Sequence, residues 1–246
     1  MDKPATSNIL SRIRVVLSHP SHPGNIGSVA RAMKTMGLSR LVLVNPRSFP
    51  SPDALALASG ATDLLDAAQV VSELDDALIG CTQVVALSAR RRELTVPMHN
   101  PRELAPLLIE RCQHGEEVAL LFGTEMSGLS NDEVRRCNRV VSIPANPDYS
   151  SLNLAQAVQV IAYELRMAVD TDLSHLQEYH ELATHDDVER LYVDLENTLV
   201  QIGFLDPDNP KRLMPRLRRL LGRGQLEKVE VDILRGILRA TREGRR

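Results

Sequence analysis

Tryptophan is absent from this 246-residue chain, and aromatic side chains make up only 3% of it. A sheet platform on which bases stack is therefore not expected. The three cysteines, Cys81, Cys112 and Cys137, stand far apart without metal-ligand spacing, which reads as reduced, buried thiols in a cytoplasmic protein. No run of about 18 apolar residues occurs, so no membrane-spanning helix is expected. The opening MDKPATSNIL has no apolar stretch of the kind a signal peptide needs. Also missing are GxGxxG after the first strand, GxxxxGK with a following Ser or Thr, and GxSxG. These gaps weigh against a dinucleotide oxidoreductase, a P-loop NTPase and an α/β-hydrolase. His19 and His22 have HxxH spacing but no evident third ligand. His175, His180 and His185 step round a helix by about 140° each, off any shared face. No metal site is expected.

What is present is an ordinary globular composition, 43% hydrophobic and 25% charged, enough for one sizeable core and a small second unit. The net charge of −3 is unevenly spread. Lys211–Arg246 holds 12 basic and 4 acidic residues, a local net of +8, which leaves −11 on the rest. A basic tail on an acidic body suits a polyanionic partner, though a solvated helical surface reads the same way.

From Ile13 to Val169, short apolar runs alternate with helical stretches. The runs are Ile13–Leu17, Leu41–Asn45, Gln69–Val71, Gln83–Ser88, Val118–Phe122 and Val140–Ile143. Being apolar throughout, they read as strands buried on both faces of a parallel sheet, and the whole as an open α/β fold. The acidic stretch 170–187 reads as a linker. Residues 188–246 read as a basic bundle of about three helices, after a capping pair at Thr184 and Asp187.

In open α/β sheets ligands bind beyond the carboxyl ends of the strands, and four loops there stand out. Ser18–Arg31 joins the first strand to a helix expected to start near Ile26. Gly24 and Gly27 would admit a close ligand, the helix N-terminus an anion such as a phosphate, and Arg31 sits one turn in. Ser88–Met98 carries Arg90, Arg91 and Arg92, suited to phosphates or simply a solvated cluster. Leu120–Asn131 carries Gly123, Gly128 and a lone carboxylate, Glu125. Ile143–Glu164 sets Ser150, Ser151 and Asn153 at a helix start, more polar groups than one cap needs.

In order and spacing these loops resemble the three motifs of the SPOUT methyltransferases: Asn25-Ile26-Gly27-Ser28-Val29-Ala30-Arg31, then Phe122-Gly123-Thr124-Glu125-Met126-Ser127-Gly128-Leu129, then Ile143-Pro144 with Ser150-Ser151-Leu152-Asn153-Leu154. The runs SHPGNIGSVARAMKTMGLSRLVLVNP and NPDYSSLNLAQAVQVIAYE are similar to the TrmJ-type tRNA (cytidine/uridine-2'-O)-methyltransferases. The resemblance implies an α/β SPOUT domain over 1–169, with a trefoil knot in a mainly parallel sheet and a small all-α extension. It implies S-adenosylmethionine held by Leu87, Ser88, Ala89, Gly123, Ile143, Ser150, Ser151 and Leu152. Asn25, Arg90, Arg92, Glu125 and Asn153 would serve the RNA or support the site. It implies a homodimer packed through the knot region, with the helix from Leu154 at the interface, and no metal. Arg31 would be the catalytic residue. As arginine is effectively always protonated, its cation would stabilise the developing alkoxide or hold the adjacent phosphate rather than take a proton. The implied substrate is tRNA at the first nucleotide of the anticodon loop, position 32. Another nucleotide or RNA, or a catalytically silent RNA-binding module, are the alternatives.

Overall fold

The computed structural model describes residues 9–88, 98–169, 181–223 and 225–244. The chain divides into two compact units, Met1–Leu176 and Gln177–Arg246.

The first unit is built on seven strands: β1 (Ile13–Ser18), β2 (Arg40–Val44), β3 (Gln69–Val71), β4 (Cys81–Leu87), β5 (Met98–His99), β6 (Glu117–Phe122) and β7 (Arg139–Val141). They form one sheet in the order β3-β2-β1-β6-β4-β7-β5, every pairing parallel. The pleat sends alternate residues to opposite faces. Ile13, Val15 and Leu17 enter one apolar cluster and Val16 the other. Val118, Leu120 and Phe122 likewise oppose Ala119 and Leu121. The larger cluster is covered by α1 (Pro23–Met36), α2 (Pro52–Ala58), α3 (Thr62–Asp66), α5 (Pro101–Gln113) and α7 (Leu154–Val169). The smaller is covered by α4 (Leu74–Leu78) and α6 (Asn131–Arg135). This is a helix–sheet–helix sandwich, the arrangement that two-sided apolar strands require.

The structure departs from the sequence reading in four places. β3 is an edge strand with Gln69 and Val70 exposed, so its apolar residues are not a sign of two-sided burial. α2, α3 and the two-residue β5 escape periodicity because they are too short to show it. α1 starts at Pro23, three residues before Ile26, with Pro at its first position and His22 as an extended N-cap. It ends at Gly37, φ 85°, whose N–H donates to Lys34 O while Leu38 N–H donates to Met33 O. Finally, the close approaches at Gly24 and Gly27 are to protein, not to a ligand. A Cβ on Gly27 would lie 2.0 Å from Ala54 O, and one on Gly24 2.7 Å from the Leu57 side chain.

The second unit contains α8 (His185–Gln201), α9 (Leu213–Leu221) and α10 (Lys228–Glu243). Thr184 caps α8 by accepting from Asp187 N–H. Ala183, Leu191 and Val231 form a small core with Val188, Leu226, Leu234 and Leu238 around it. Residues 181–183 are tied to this unit: Ala183 N–H donates to Leu226 O and Lys228 N–H to Glu181 O. Part of the basic charge is neutralised internally. Arg218 makes a two-pronged bridge to Glu189 at 2.6 and 2.7 Å and stacks over the Tyr192 ring. Arg235 pairs with Asp194 and Lys228 with Glu181.

Candidate active site

Beyond the carboxyl ends of β4, β6 and β7 lies a cavity of about 400 Å³. Strand ends supply Leu87, Ser88, Phe122 and Val141, and α7 supplies Leu154 and Ala157. The loops supply Gly123–Gly128, Ile143 and Ser150–Leu152. Ser88 N–H donates to Val141 O and Ser142 N–H to His99 O, so neighbouring strand ends hold one another in place.

The 123–129 loop folds back on itself. Thr124 and Gly128 form an isolated bridge, closed by Gly128 N–H donating to Thr124 O at 2.9 Å. Gly128 sits at φ 67°, which favours glycine. Gly123 has no room for a side chain: a Cβ there would lie 2.2 Å from Gly128 C and Leu129 N.

The turn places Glu125 against the N-terminus of α1. Its carboxylate accepts from Ser21 N–H at 3.0 Å, Ser21 Oγ–H at 2.7 Å, His22 N–H at 3.1 Å and Asn25 Nδ2–H at 3.0 Å. Burial by itself would raise its pKa, but the bonds from Asn25 and Ser21 outweigh that and bring it down to about 2. The anion expected at this helix N-terminus is thus the protein's own carboxylate. Asn25 continues the chain by accepting from Asn153 Nδ2–H at 3.0 Å. Asn153 in turn caps α7, its Oδ1 accepting from Ala155 N–H at 2.9 Å. With the cap filled by Asn153, Ser150 and Ser151 are left to the cavity wall.

Of the residues expected to hold a cofactor, Leu87, Ser88, Gly123, Ile143, Ser150, Ser151 and Leu152 are brought together on this one cavity. Ala89, Arg90 and Arg92 lie outside the described residues. Glu125 lines the cavity, and Asn25 and Asn153 brace it from behind. Arg31 is exposed on α1, six residues beyond Asn25, and is not part of the cavity lining. Sequence reasoning missed Ser21 and His22: two of their bonds to Glu125 come from backbone N–H groups, which have no residue signature, and the third comes from the Ser21 hydroxyl. It also missed Met126, 91% exposed at the cavity's edge; an apolar residue in a Gly-rich turn was the available clue.

The described lining contains no His, Lys or Cys. Its one carboxylate already accepts four hydrogen bonds and is held ionised, so it is unsuited to proton transfer. A lining of apolar side chains with a few hydroxyls and glycines suits an organic cofactor that carries its own reactive group. Among the described residues, no group of three or more His, Cys, Asp and Glu could hold a metal ion, and no helix is long and apolar enough to cross a membrane.

Comparison with known proteins gives two family matches: the SpoU rRNA Methylase family over residues 12–163, and the tRNA methyltransferase TrmJ C-terminal domain over residues 186–246. The chain is 52% identical over 245 residues to the tRNA (cytidine/uridine/adenosine-2'-O-)-methyltransferase TrmJ of Pseudomonas aeruginosa, covering 96% of this chain and 95% of the relative. The crystal structure of TrmJ from Z. mobilis matches with TM-score 0.81 at 34% identity, over 92% of this chain and 97% of that one. The SpoU methyltransferase AviRb from Streptomyces viridochromogenes, in complex with the cofactor AdoMet, shares the fold at TM-score 0.51 and 24% identity, over 63% of this chain and 59% of its own.

Proposed function

Since the chain belongs to the SpoU rRNA methylase family and carries a TrmJ C-terminal domain, we propose that it transfers a methyl group from S-adenosylmethionine to the ribose 2'-hydroxyl of cytidine or uridine in tRNA. The nucleotide proposed is the first of the anticodon loop. The observation that carries this reading is the cavity at the strand ends, lined by apolar side chains together with serines and glycines, with no free acid or base in its described lining. When bound there, S-adenosylmethionine supplies a methyl on a sulfonium, already a good leaving group. The protein's task is then to position the hydroxyl in line and stabilise the charge that develops as its proton leaves.

Leu87, Leu152, Leu154 and Ala157 offer apolar contact to the cofactor, and Ser88, Ser150 and Ser151 offer hydrogen bonds. The cation of Arg31 stabilises the developing alkoxide or holds the neighbouring phosphate. Its place on the exposed side of α1 fits a role at the cavity of a second copy. Tyr163 and Met167, exposed on α7, suit a homodimer contact. β7 lies between β4 and β5, two strands consecutive in the chain. This insertion is compatible with the trefoil thread implied by the motifs.

The relative from Pseudomonas aeruginosa is named for adenosine as well as cytidine and uridine, which makes a broader acceptor range the second reading. Nucleoside analysis of tRNA from a strain lacking this protein tests both. Loss of 2'-O-methylcytidine or 2'-O-methyluridine at one anticodon-loop position is the expected result, and loss of 2'-O-methyladenosine as well would favour the broader range. An unchanged tRNA profile, with no transfer of labelled methyl to tRNA by the purified protein, would leave the silent RNA-binding module standing.

A further inference from the structure

A second cavity, of about 870 Å³, opens beside the first and shares Thr124, Ser127 and Gly128 with it. His19, Asn45 and Ser72 reach it from the carboxyl ends of β1, β2 and β3. His19 at φ 50° and Asn45 at φ 44° hold left-handed backbone, a conformation that persists where the surroundings enforce it. Here the neighbouring strand does so: His19 N–H donates to Val44 O at 2.9 Å and Asn45 N–H to Val71 O at 2.8 Å.

The protons around His19 follow a fixed order. Ser18 Oγ–H donates to Glu133 Oε1. Glu133 is itself anchored, its Oε2 accepting from Ser130 N–H at 2.6 Å. Burial raises the Glu133 pKa, but the bonds from Ser18 and Ser130 outweigh that and lower it, so it stays a carboxylate. A serine has one proton, and Ser18 spends it on Glu133. Its oxygen can then only accept from His19 Nδ1–H, 2.9 Å away. In its neutral form the imidazole is therefore the Nδ1–H tautomer, with its lone pair on Nε2, and His19 lines the cavity. Glu73 and Glu133 add negative charge to the walls, while Asp75 is paired with Arg136 at 2.8 Å. Such walls repel phosphate and attract N–H donors.

We propose that this second cavity receives a nucleobase of the RNA strand beside the methylated nucleotide, with His19 Nε2 accepting from a base N–H. The inference rests on the RNA methyltransferase reading above. The groups recognised are the exocyclic amino groups of cytosine, adenine and guanine or the ring N–H of uracil and guanine. The two cavities share one loop as a common rim, which sets a base in the second next to a ribose presented to the first.

The test uses full-length wild type, His19→Ala, His19→Asn and Ser18→Ala, with tRNA transcripts made abasic at one anticodon-loop position at a time. His19→Ala should raise KM for tRNA about tenfold, with kcat at saturating tRNA and cofactor affinity unchanged. His19→Asn, which tolerates the left-handed backbone, guards against misfolding and should show the same rise. Ser18→Ala should shift KM in the same direction by about threefold. One abasic transcript should raise the wild-type KM as much as His19→Ala does and add nothing to that variant. An unchanged KM, a fall in kcat alone, or a penalty that adds fully on every abasic transcript would overturn the proposal. If wild type methylates no RNA, the functional reading itself fails; if it does and the His19 variants are indifferent, only this cavity's role fails.

Discussion

Asn153 Nδ2–H donates to Asn25 Oδ1 across 3.0 Å, joining residues 128 apart in the chain. Asn25 passes the link on to Glu125 at 3.0 Å, so one asparagine holds all three loops of the candidate active site together. Asn25→Ala removes both bonds while α7 keeps its cap, since Asn153 Oδ1 still accepts from Ala155 N–H. The expected outcome is a stability loss of about 1–3 kcal/mol and weaker cofactor binding. Thermal unfolding and calorimetric titration with S-adenosylmethionine check it.

Glu125 gives a pH signature. Its folded pKa of about 2 lies below the ordinary glutamate value of 4.5. A depressed carboxylate contributes stability that is fully present above 4.5 and is lost as pH falls toward 2. Every partner it has among the described residues is a donor, so Glu125→Gln turns an amide NH₂ toward other N–H groups. The variant should be less stable at neutral pH and should lose less than wild type between pH 4.5 and pH 2. Denaturant unfolding at a series of pH values measures the difference. Parallel curves with equal acid slopes would disprove the assignment.

The clamp also shows how far the sequence could be read. The three loops, their order and the apolar strands were legible because residue type and spacing carry them. The anion at the α1 N-terminus was expected, but its source was not. A phosphate looks the same from the sequence as Glu125, a hundred residues away from Asn25. Gly27 misled for a related reason. A glycine marks a close approach without saying to what, and here the neighbour is Ala54. Helices α2 and α3 were illegible because five to seven residues cannot display a period, whereas strand β3 was legible and only its exposed edge position was not.

The two glycines therefore separate packing from binding. A Cβ at Gly27 would strike Ala54 O at 2.0 Å and force α1 and α2 apart. One at Gly123 would strike the Gly128–Leu129 backbone at 2.2 Å and move a cavity wall. Each alanine variant should cost about 1–3 kcal/mol of stability. Gly123→Ala should also raise the cofactor Kd at least tenfold, with Gly27→Ala close to wild type. Equal cofactor Kd values for the two variants would contradict this separation.

Arg31 makes no ion pair among the described residues and stands clear of the cavity lining. Arg31→Ala should therefore leave folding and cofactor affinity intact while turnover falls by about a hundredfold or more. Single-turnover methyl transfer alongside cofactor titration resolves the two effects. Methylation at the wild-type rate would remove Arg31 from the mechanism.

The basic C-terminal unit divides by partner. Arg218 is committed internally, bridging Glu189 and stacking over Tyr192. Arg216 and Arg219, on the same helix, are exposed and form no ion pair among the described residues. Binding a phosphate needs an uncommitted cation, so the two kinds of arginine should respond differently to the same substitution. Arg216→Ala with Arg219→Ala should weaken tRNA binding and reduce the salt slope of log affinity by about 0.7–0.9 for each phosphate left unneutralised. Thermal stability should stay near wild type. Arg218→Ala should instead destabilise the unit, by about 1–3 kcal/mol, with the salt slope retained in the folded fraction. Binding titrations across a salt series, paired with thermal melts, distinguish the outcomes. A salt slope unchanged in the double variant would mean that tRNA is held elsewhere and that the charge on this face is only solvated surface.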